Sequence, residues 1–284
     1  MTVAAIGTVQ RIAAYRLAGD VHDIRDQHGR VFDLATYSKM KHGDLKALAA
    51  MAKELAHALA DEAPFLVTSD RQILLPVAYM AVVPACWHLA QGVCAVLNAE
   101  RVPAGLPAAR IIRIAKDSVT ATDYAASDAS EREAEMARIK FTLDEPITGA
   151  HVILVDDVRV TGLAEKTAVT AISHDAPASL TLGYVAVIDP PLSASPHVEA
   201  VMNQATVRSI ADMAPSVQTG EFALTIRFLK RVLSAPHEDR AAFLATCPAG
   251  LLREMADGAD ATGEAFVAAY AAGVADLTAE VAAL

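Results

Sequence analysis

Two adjacent carboxylates, Asp156 and Asp157, directly follow the hydrophobic run Val152–Val155, and Thr161-Gly162 comes shortly after them. The run is continuous and branched rather than alternating, which is typical of a parallel strand covered on both faces. The alanine-rich segment behind it predicts a helix over residues 163–173. Ligands bind at the carboxyl ends of strands in open α/β sheets, and a helix start offers free N–H groups to a phosphate. The spacing therefore predicts a ligand site that combines acidic groups with an anion position.

The anion position is predicted from the turn between strand and helix. Thr161 and Gly162, with the backbone N–H groups of Leu163 and Ala164, can form a nest for a phosphate. Arg159 lies between the acids and this nest, and its side chain can reach an anion or face solvent. The acids have other interpretations: one aspartate could only cap the helix, or the pair could form a metal-phosphate site of the response-regulator or haloacid-dehalogenase kind. The Asp-x-Asp pattern of those sites is absent from the end of the first predicted strand.

The order of hydrophobic strand, Asp156-Asp157, short spacer and Thr161-Gly162 resembles the phosphoribosyl-pyrophosphate (PRPP) loop of type I phosphoribosyltransferases. This resemblance implies that the two aspartates are catalytic residues that hold the ribose hydroxyls, in part through water bound to Mg²⁺, and that the nest holds the 5′-phosphate. Members of that family commonly continue Thr-Gly-Gly-Thr or Thr-Gly-Gly-Ser. This chain continues Leu163-Ala164-Glu165, which removes a glycine and a hydroxyl and adds a like charge beside the phosphate.

A pyrophosphate subsite is expected from two further polar segments. Ser69, Asp70 and Arg71 follow the predicted strand 64–68, where the resembling fold has its pyrophosphate loop, and Arg71 is a suitable fork donor for phosphate oxygens. The alternative is an ordinary surface turn. Arg113 and Lys116 end the next predicted strand, 110–115, and the resemblance implies a basic residue there that reaches pyrophosphate.

A long polar segment, Lys116–Leu143, then matches the family's flexible catalytic loop in place and character. Long loops in compact domains are usually lids or binding loops. Tyr124, Arg132 and Lys140 are its candidate contacts, although each taken alone is better explained as a solvated side chain.

A third candidate segment precedes the helix that begins after Asp44. It contains Tyr37, Ser38 and Lys41, and its mixture of aromatic, hydroxyl and basic groups suits an acceptor or anion loop. The segment resembles an element of phosphoribosyltransferase-like proteins from bacterial tellurium-resistance and stress-response gene clusters. Its alternative interpretation is a loop with solvated lysines that leads into a helix.

The elements around these residues alternate between strands and helices, which predicts a parallel sheet with right-handed crossovers. The fold class is therefore α/β, an open parallel sheet of the type I phosphoribosyltransferase fold. We expect an N-terminal cap over residues 1–60, a core over 61–195 and a helical extension over 196–284. Asp44 is the expected N-cap of a helix over 45–60. The segment from Gln72 to Asn98 lacks charged residues and is predicted to be a buried helix.

The composition narrows the function classes. Hydrophobic residues make up 54% of the 284 residues, so a sizeable core can form. The formal net charge of −10 argues against a nucleic-acid partner, which needs a basic face. Three cysteines without paired spacing fit a reduced, cytoplasmic compartment. No membrane partner and no secretory signal are expected, and the resemblance implies a homodimer.

The expected function is transfer of a 5-phosphoribosyl group from PRPP, with Mg²⁺, to a nitrogen nucleophile such as a nucleobase, or the reverse reaction. Two alternatives remain open. The chain could be a non-catalytic sensor of PRPP or nucleotides, which the altered Leu163-Ala164-Glu165 segment favours. It could also be a scaffold in a stress-response assembly.

Overall fold

A mostly parallel sheet organises the chain. The computed structural model describes residues 8–116, 141–172, 175–195 and 197–284. Within these residues the strands follow the order β2-β1-β7-β6-β3-β4-β5. Strands β1, β7, β6, β3 and β4 run parallel, and β2 and β5 add antiparallel pairs at the edges. The predicted α/β class is confirmed. The strands are β1 Thr8–Asp20, β2 Asp23–Arg25, β3 Ile73–Tyr79, β4 Arg110–Lys116, β5 Phe141–Leu143, β6 His151–Arg159 and β7 Ser179–Ile188.

Helices cover the two faces of the sheet and form most of the chain after β7. The described helices are α1 Leu34–Lys41, α2 Leu45–Glu62, α3 Phe65–Thr68, α4 Ala85–Arg101, α5 Leu163–Ile172, α6 Val198–Asn203, α7 Ala214–Gln218, α8 Ile226–Ser234, α9 His237–Leu244, α10 Ala249–Thr262, α11 Glu264–Ala269 and α12 Ala271–Ala282. The predicted cap of α2 is confirmed, because the Asp44 carboxylate accepts a hydrogen bond from the Ala47 N–H at 2.9 Å. None of the described helices is long and apolar enough to cross a bilayer.

Burial explains why these strands read as continuous hydrophobic runs. All ten residues of β7 are buried, since helices α2 and α4 pack on one face and α5 on the other. Leu48, Leu55 and Leu59 form the buried stripe of α2, whereas Leu45, the first residue of the helix, is 40% exposed.

Two sequence predictions before β4 are wrong. Residues 65–68 form the short helix α3 rather than a strand, and the uncharged segment 72–98 contains strand β3 followed by most of α4 rather than one helix. Pro76 lies inside β3, where it cannot donate a ladder hydrogen bond. It is tolerated there because the pairing of β3 with β6 ends at Leu74–Val152, so one side of β3 is unpaired beyond that point.

The end of this pairing also opens a crevice. From β3 the chain adds β4 on one side, and from β6 it adds β7 on the other, so the direction of strand addition reverses between β3 and β6. Ligands bind at such switch points, beyond the carboxyl ends of the strands. The fold therefore presents the carboxyl end of β6 to a crevice.

The N-terminal and C-terminal segments relate to this core in different ways. Strand β1, inside the segment predicted as a cap, is part of the main sheet and pairs with β7. Helices after residue 207 form a second hydrophobic cluster that includes Phe228, Leu252 and Met255, together with Val82 from the segment after β3. The proposed division at residues 60/61 and 195/196 stays a prediction.

Candidate functional site

The acidic pair lies at the carboxyl end of β6. The sequence placed Asp156 and Asp157 directly after the hydrophobic run of the strand, but the strand continues to Arg159, so both aspartates lie within it. The strand is nevertheless irregular there. The register with β7 skips Asp157, and Val155 and Val158 pack in the same hydrophobic cluster, which breaks the alternation of a regular strand. Each aspartate carboxylate accepts a hydrogen bond from the backbone N–H of the next residue, at 2.9 and 2.7 Å.

Helix α1 brings a lysine to this pair. The Lys41 ammonium donates to the Asp157 carboxylate, and the two side chains are only 7% and 11% exposed. The structure thus joins Lys41, predicted as an acceptor or anion-loop residue, to the predicted catalytic acid. Tyr37, on the same helix, is completely buried, and its hydroxyl has no hydrogen-bond partner among the described residues. Burial and the charge of Asp157 raise the pKa of Tyr37 well above its ordinary value, so the phenol stays neutral.

The protonation of Asp156 differs from that of an ordinary aspartate. Burial, followed by the negative charge of Asp157, raises the pKa of Asp156 to about 7. The Lys41 ammonium acts in the opposite direction and lowers that pKa. This carboxyl can therefore hold or release a proton close to neutral pH, which general acid–base catalysis requires.

Residues from the C-terminal part of the chain hold helix α1 in place. The buried Ser38 hydroxyl donates to the carbonyl of Asn203 at 2.7 Å and accepts from the N–H of Val207 at 3.1 Å. The Nδ1–H of His42 donates to the Ser38 carbonyl at 2.8 Å, and its Nε2 accepts from the Arg231 guanidinium at 2.6 Å. Burial lowers the pKa of His42 to about 3, so the ring is neutral. Ser38 therefore anchors the helix that carries Lys41.

The turn predicted as the phosphate nest is occupied by protein side chains. Gly162 has φ +79°, and a Cβ there would lie 2.8 Å from Nη2 of Arg159, so the guanidinium rests on the turn. Leu163 and Ala164 begin α5. Glu165 follows them, and its carboxylate accepts from Arg11, Arg159 and Tyr184. Although burial raises the pKa of Glu165, the hydrogen bonds from these donors outweigh it and lower that pKa to about 2.

The residues predicted to bind pyrophosphate do not assemble with the acidic pair. Ser69, Asp70 and Arg71 precede β3 instead of following the first core strand, because the predicted strand over residues 64–68 is a helix. They lie at the amino ends of the strands, where the Ser69 hydroxyl contacts His151 at 3.1 Å and Arg71 donates to the Gly149 carbonyl at 2.9 Å.

The segment that does follow the first core strand, Met80–Pro84, contains no charged residue. The Arg113 side chain is used there for support. It donates to the Met80 carbonyl at 2.6 Å and stacks over the Tyr79 ring at 5.0 Å. Lys116 is the last residue of β4. The predicted lid contacts Tyr124, Arg132 and Lys140 lie outside the described residues.

A cavity of about 570 Å³ lies beside the Glu165 carboxylate network, and the sequence analysis did not assign it. Its lining includes Arg11 and Arg16 from β1 and Arg159 from β6, together with Glu62 and Asp189. Arg16 forms an ion pair with Asp189 at 2.5 Å. The signal in the sequence was a pair of arginines within a mostly apolar strand, and it is visible only once residues 8–20 are recognised as part of the sheet.

Comparison with known families decides what kind of protein this is. The PRTase ComF-like family, a phosphoribosyltransferase-like family, matches residues 18–263, which is most of the chain. The chain belongs to the PRTase ComF-like family. This membership confirms the phosphoribosyltransferase resemblance, and the origin in a tellurium-resistance gene cluster stays a prediction. Comparison with curated proteins gives no significant match.

Solved structures of hypoxanthine phosphoribosyltransferases are also similar to this PRTase ComF-like chain, at a distance. The Trypanosoma cruzi enzyme in complex with IMP is 18% identical over 52% of this chain and 79% of that chain, with a TM-score of 0.35. The L. donovani hypoxanthine-guanine enzyme is 13% identical over 51% of this chain and 70% of that chain, with a TM-score of 0.34. Similarity this low carries no argument about the ligand.

The described residues of this PRTase ComF-like chain could offer Mg²⁺ few protein ligands at the acidic pair. Among the described residues, no group of three or more His, Cys, Asp or Glu side chains is arranged to hold a metal ion. Asp157 is already paired with Lys41, whereas the Asp156 carboxylate has no cation partner among the described residues. One such carboxylate would suit a Mg²⁺ ion held mainly through water, since Mg²⁺ usually keeps several waters.

Proposed function

We propose that this chain transfers a 5-phosphoribosyl group from PRPP, with Mg²⁺, to the nitrogen of a nucleobase-like acceptor, or catalyses the reverse. The observation that carries this proposal is the acidic pair Asp156–Asp157 at the end of β6, beside the crevice between β3 and β6. Membership of a phosphoribosyltransferase-like family supports the class of reaction.

The reaction requires little covalent chemistry from the protein. The bond from C1′ to the pyrophosphate oxygen breaks, pyrophosphate leaves with the electron pair, and the acceptor nitrogen bonds to C1′ and loses its proton. Asp156, whose pKa is about 7, suits the role of the base that takes this proton. Asp157, held by Lys41, suits the positioning of the ribose hydroxyls. Mg²⁺ would neutralise the departing pyrophosphate.

A second candidate is binding without transfer, as in a sensor of PRPP or a nucleotide. The uncharged segment Met80–Pro84 favours it, because a cation that neutralises the leaving pyrophosphate is missing from that segment. Arg113 does not replace it, since its guanidinium donates to the backbone of the same segment.

Calorimetry with Mg²⁺ and PRPP, combined with an assay of pyrophosphate release against a panel of nucleobases, separates these candidates. We expect the wild type to bind, and the Asp156→Asn variant to bind with much less turnover. Asp61→Asn, an exposed aspartate on α2, is the matched control and should behave as the wild type. Binding without pyrophosphate release would favour the sensor, and absence of binding by the folded wild type would refute both candidates.

A further inference from the structure

The Glu165 carboxylate is saturated with hydrogen-bond donors. Its Oε1 accepts from Nε and Nη2 of Arg11, at 2.9 and 2.5 Å, and its Oε2 accepts from Nε of Arg159 at 2.7 Å and from the Tyr184 hydroxyl at 3.0 Å. The Glu165 side chain is only 8% exposed. Two guanidinium groups and a phenol around one buried anion form the kind of donor set that binds a phosphate.

This donor set lies where the sequence analysis expected an external anion. Glu165 is the third residue of α5, directly behind the turn at Thr161-Gly162, and the Arg159 guanidinium rests on that turn. Tyr184 pairs in register with Asp156 across β6 and β7, so the same donor set adjoins the acidic pair. The carboxylate therefore holds the anion position next to the proposed ribose site.

The protein also provides space for another anion beside these arginines. Arg11 and Arg159 line the cavity of about 570 Å³, and the Arg11 side chain is 54% exposed. A third arginine on the lining, Arg16, is neutralised by Asp189. The carboxylate of Glu165 thus cancels charge that would otherwise face an accessible cavity.

We propose that Glu165 is an internal competitor for a phosphate-monoester site formed by Arg11, Arg159 and Tyr184. A phosphate enters the site only when the carboxylate withdraws, because both anions need the same donors. The proposal deepens the proposed function, since the phosphate would be the 5′-phosphate of the ligand. Its test with inorganic phosphate requires no transfer reaction.

The test is calorimetric titration of the full chain with inorganic phosphate and with ribose 5-phosphate. Glu165→Gln keeps the size of the side chain and removes its charge, and we expect it to bind both probes at least about tenfold more tightly than the wild type, as two charge-assisted contacts become available. Glu62→Gln is the matched control, because Glu62 lines the same cavity and forms no ion pair with its arginines in the described structure, and it should bind as the wild type does.

Two further variants decide whether the gain comes from this site. Adding Arg11→Gln to Glu165→Gln should abolish the gain, and Glu238→Gln, at an exposed position of α9, should leave phosphate binding unchanged. Equal affinity of the wild type and Glu165→Gln, or a gain that persists without Arg11, would overturn the proposal. If Glu165→Gln binds phosphate more tightly as expected but the wild type shows no turnover of PRPP, only the proposed function is contradicted.

The two unpaired arginines of Glu165→Gln could reduce its stability, so its thermal unfolding is measured at rising phosphate concentration. A ligand that binds only the native state raises the unfolding temperature. We expect phosphate to stabilise, or restore the fold of, Glu165→Gln and to leave the wild type unaffected. A variant that gains nothing from phosphate contradicts the proposal.

Discussion

The buried pair of Lys41 and Asp157 offers the sharpest test of the structure. Lys41→Met keeps the length of an apolar stem and removes the ammonium, so Asp157 remains as a buried carboxylate beside Asp156. Unit charges about 4 Å apart interact by about 4 kcal/mol at the effective dielectric constant of a protein, and removing one partner of a buried pair costs about 3–5 kcal/mol. We expect Lys41→Met to lower the free energy of unfolding at pH 8 by about that amount.

Urea unfolding followed by the fluorescence of Trp87, the only tryptophan, measures this change. Lys46→Met is the matched control. The Lys46 and Glu221 side chains are 76% and 42% exposed although their ion pair measures 2.7 Å, so the same substitution there should leave stability almost unchanged.

Adding Asp157→Asn to Lys41→Met removes the unpaired charge and should restore most of the lost stability. The loss of stability caused by Lys41→Met should also be smaller at pH 6 than at pH 8. Asp156, with a pKa of about 7 in the wild type, is mostly protonated at pH 6 and then repels Asp157 less. A Lys41→Met variant as stable as the Lys46→Met control at pH 8 would refute the buried ion pair.

Three further changes test other parts of the structure. The raised pKa of Asp156 gives the native state an extra proton, whose contribution to stability is complete below about pH 4 and is lost as the pH rises through about 7. In urea unfolding, the gain in stability of Asp156→Asn over the wild type should therefore grow by about 3 kcal/mol between pH 5 and pH 9. Arg101→Met leaves three backbone carbonyls without their buried donor, including that of Leu66 at 2.8 Å, and should cost about 3 kcal/mol or more in the same assay. Gly43→Ala should lower the thermal unfolding temperature by several degrees, because φ is +96° and the new Cβ would lie 2.1 Å from the Ala223 carbonyl oxygen, whereas Gly29→Ala, which has a positive φ but no contact within 4 Å, should be milder.

Strong local sequence signals were sufficient to predict the elements at the centre of the fold. The branched run before Asp156 and the Asp44 cap gave β6 and α2 correctly, since each depends on few neighbours. The apolar residues 65–68 were misassigned because four apolar residues suit a short helix as well as a strand. That error moved Ser69–Arg71 to the wrong end of the sheet, and the expected pyrophosphate subsite with them.

The polar contacts of the site depended on distant pairings that no local pattern contains. Lys41 was singled out, but its partner Asp157 lies on another element. Glu165 was recognised as a departure from the family pattern, whereas its partner Arg11 lies on β1, a strand that the sequence did not assign to the sheet. The residues were therefore predictable as candidates, and their pairing was not.

The anchoring of α1 by the C-terminal region sets an order in which the chain can complete its site. Lys41 and Asp157 are 116 residues apart in the sequence, and Ser38 and Val207 are 169 apart. Contacts of such high contact order are slow to form, because the entropy of closing a long loop is lost before they are gained. On the ribosome, α1 emerges long before Asp157, Asn203 and Val207. The acidic pair therefore acquires its lysine, and α1 its anchor, only late in synthesis, after the sheet that carries the aspartates.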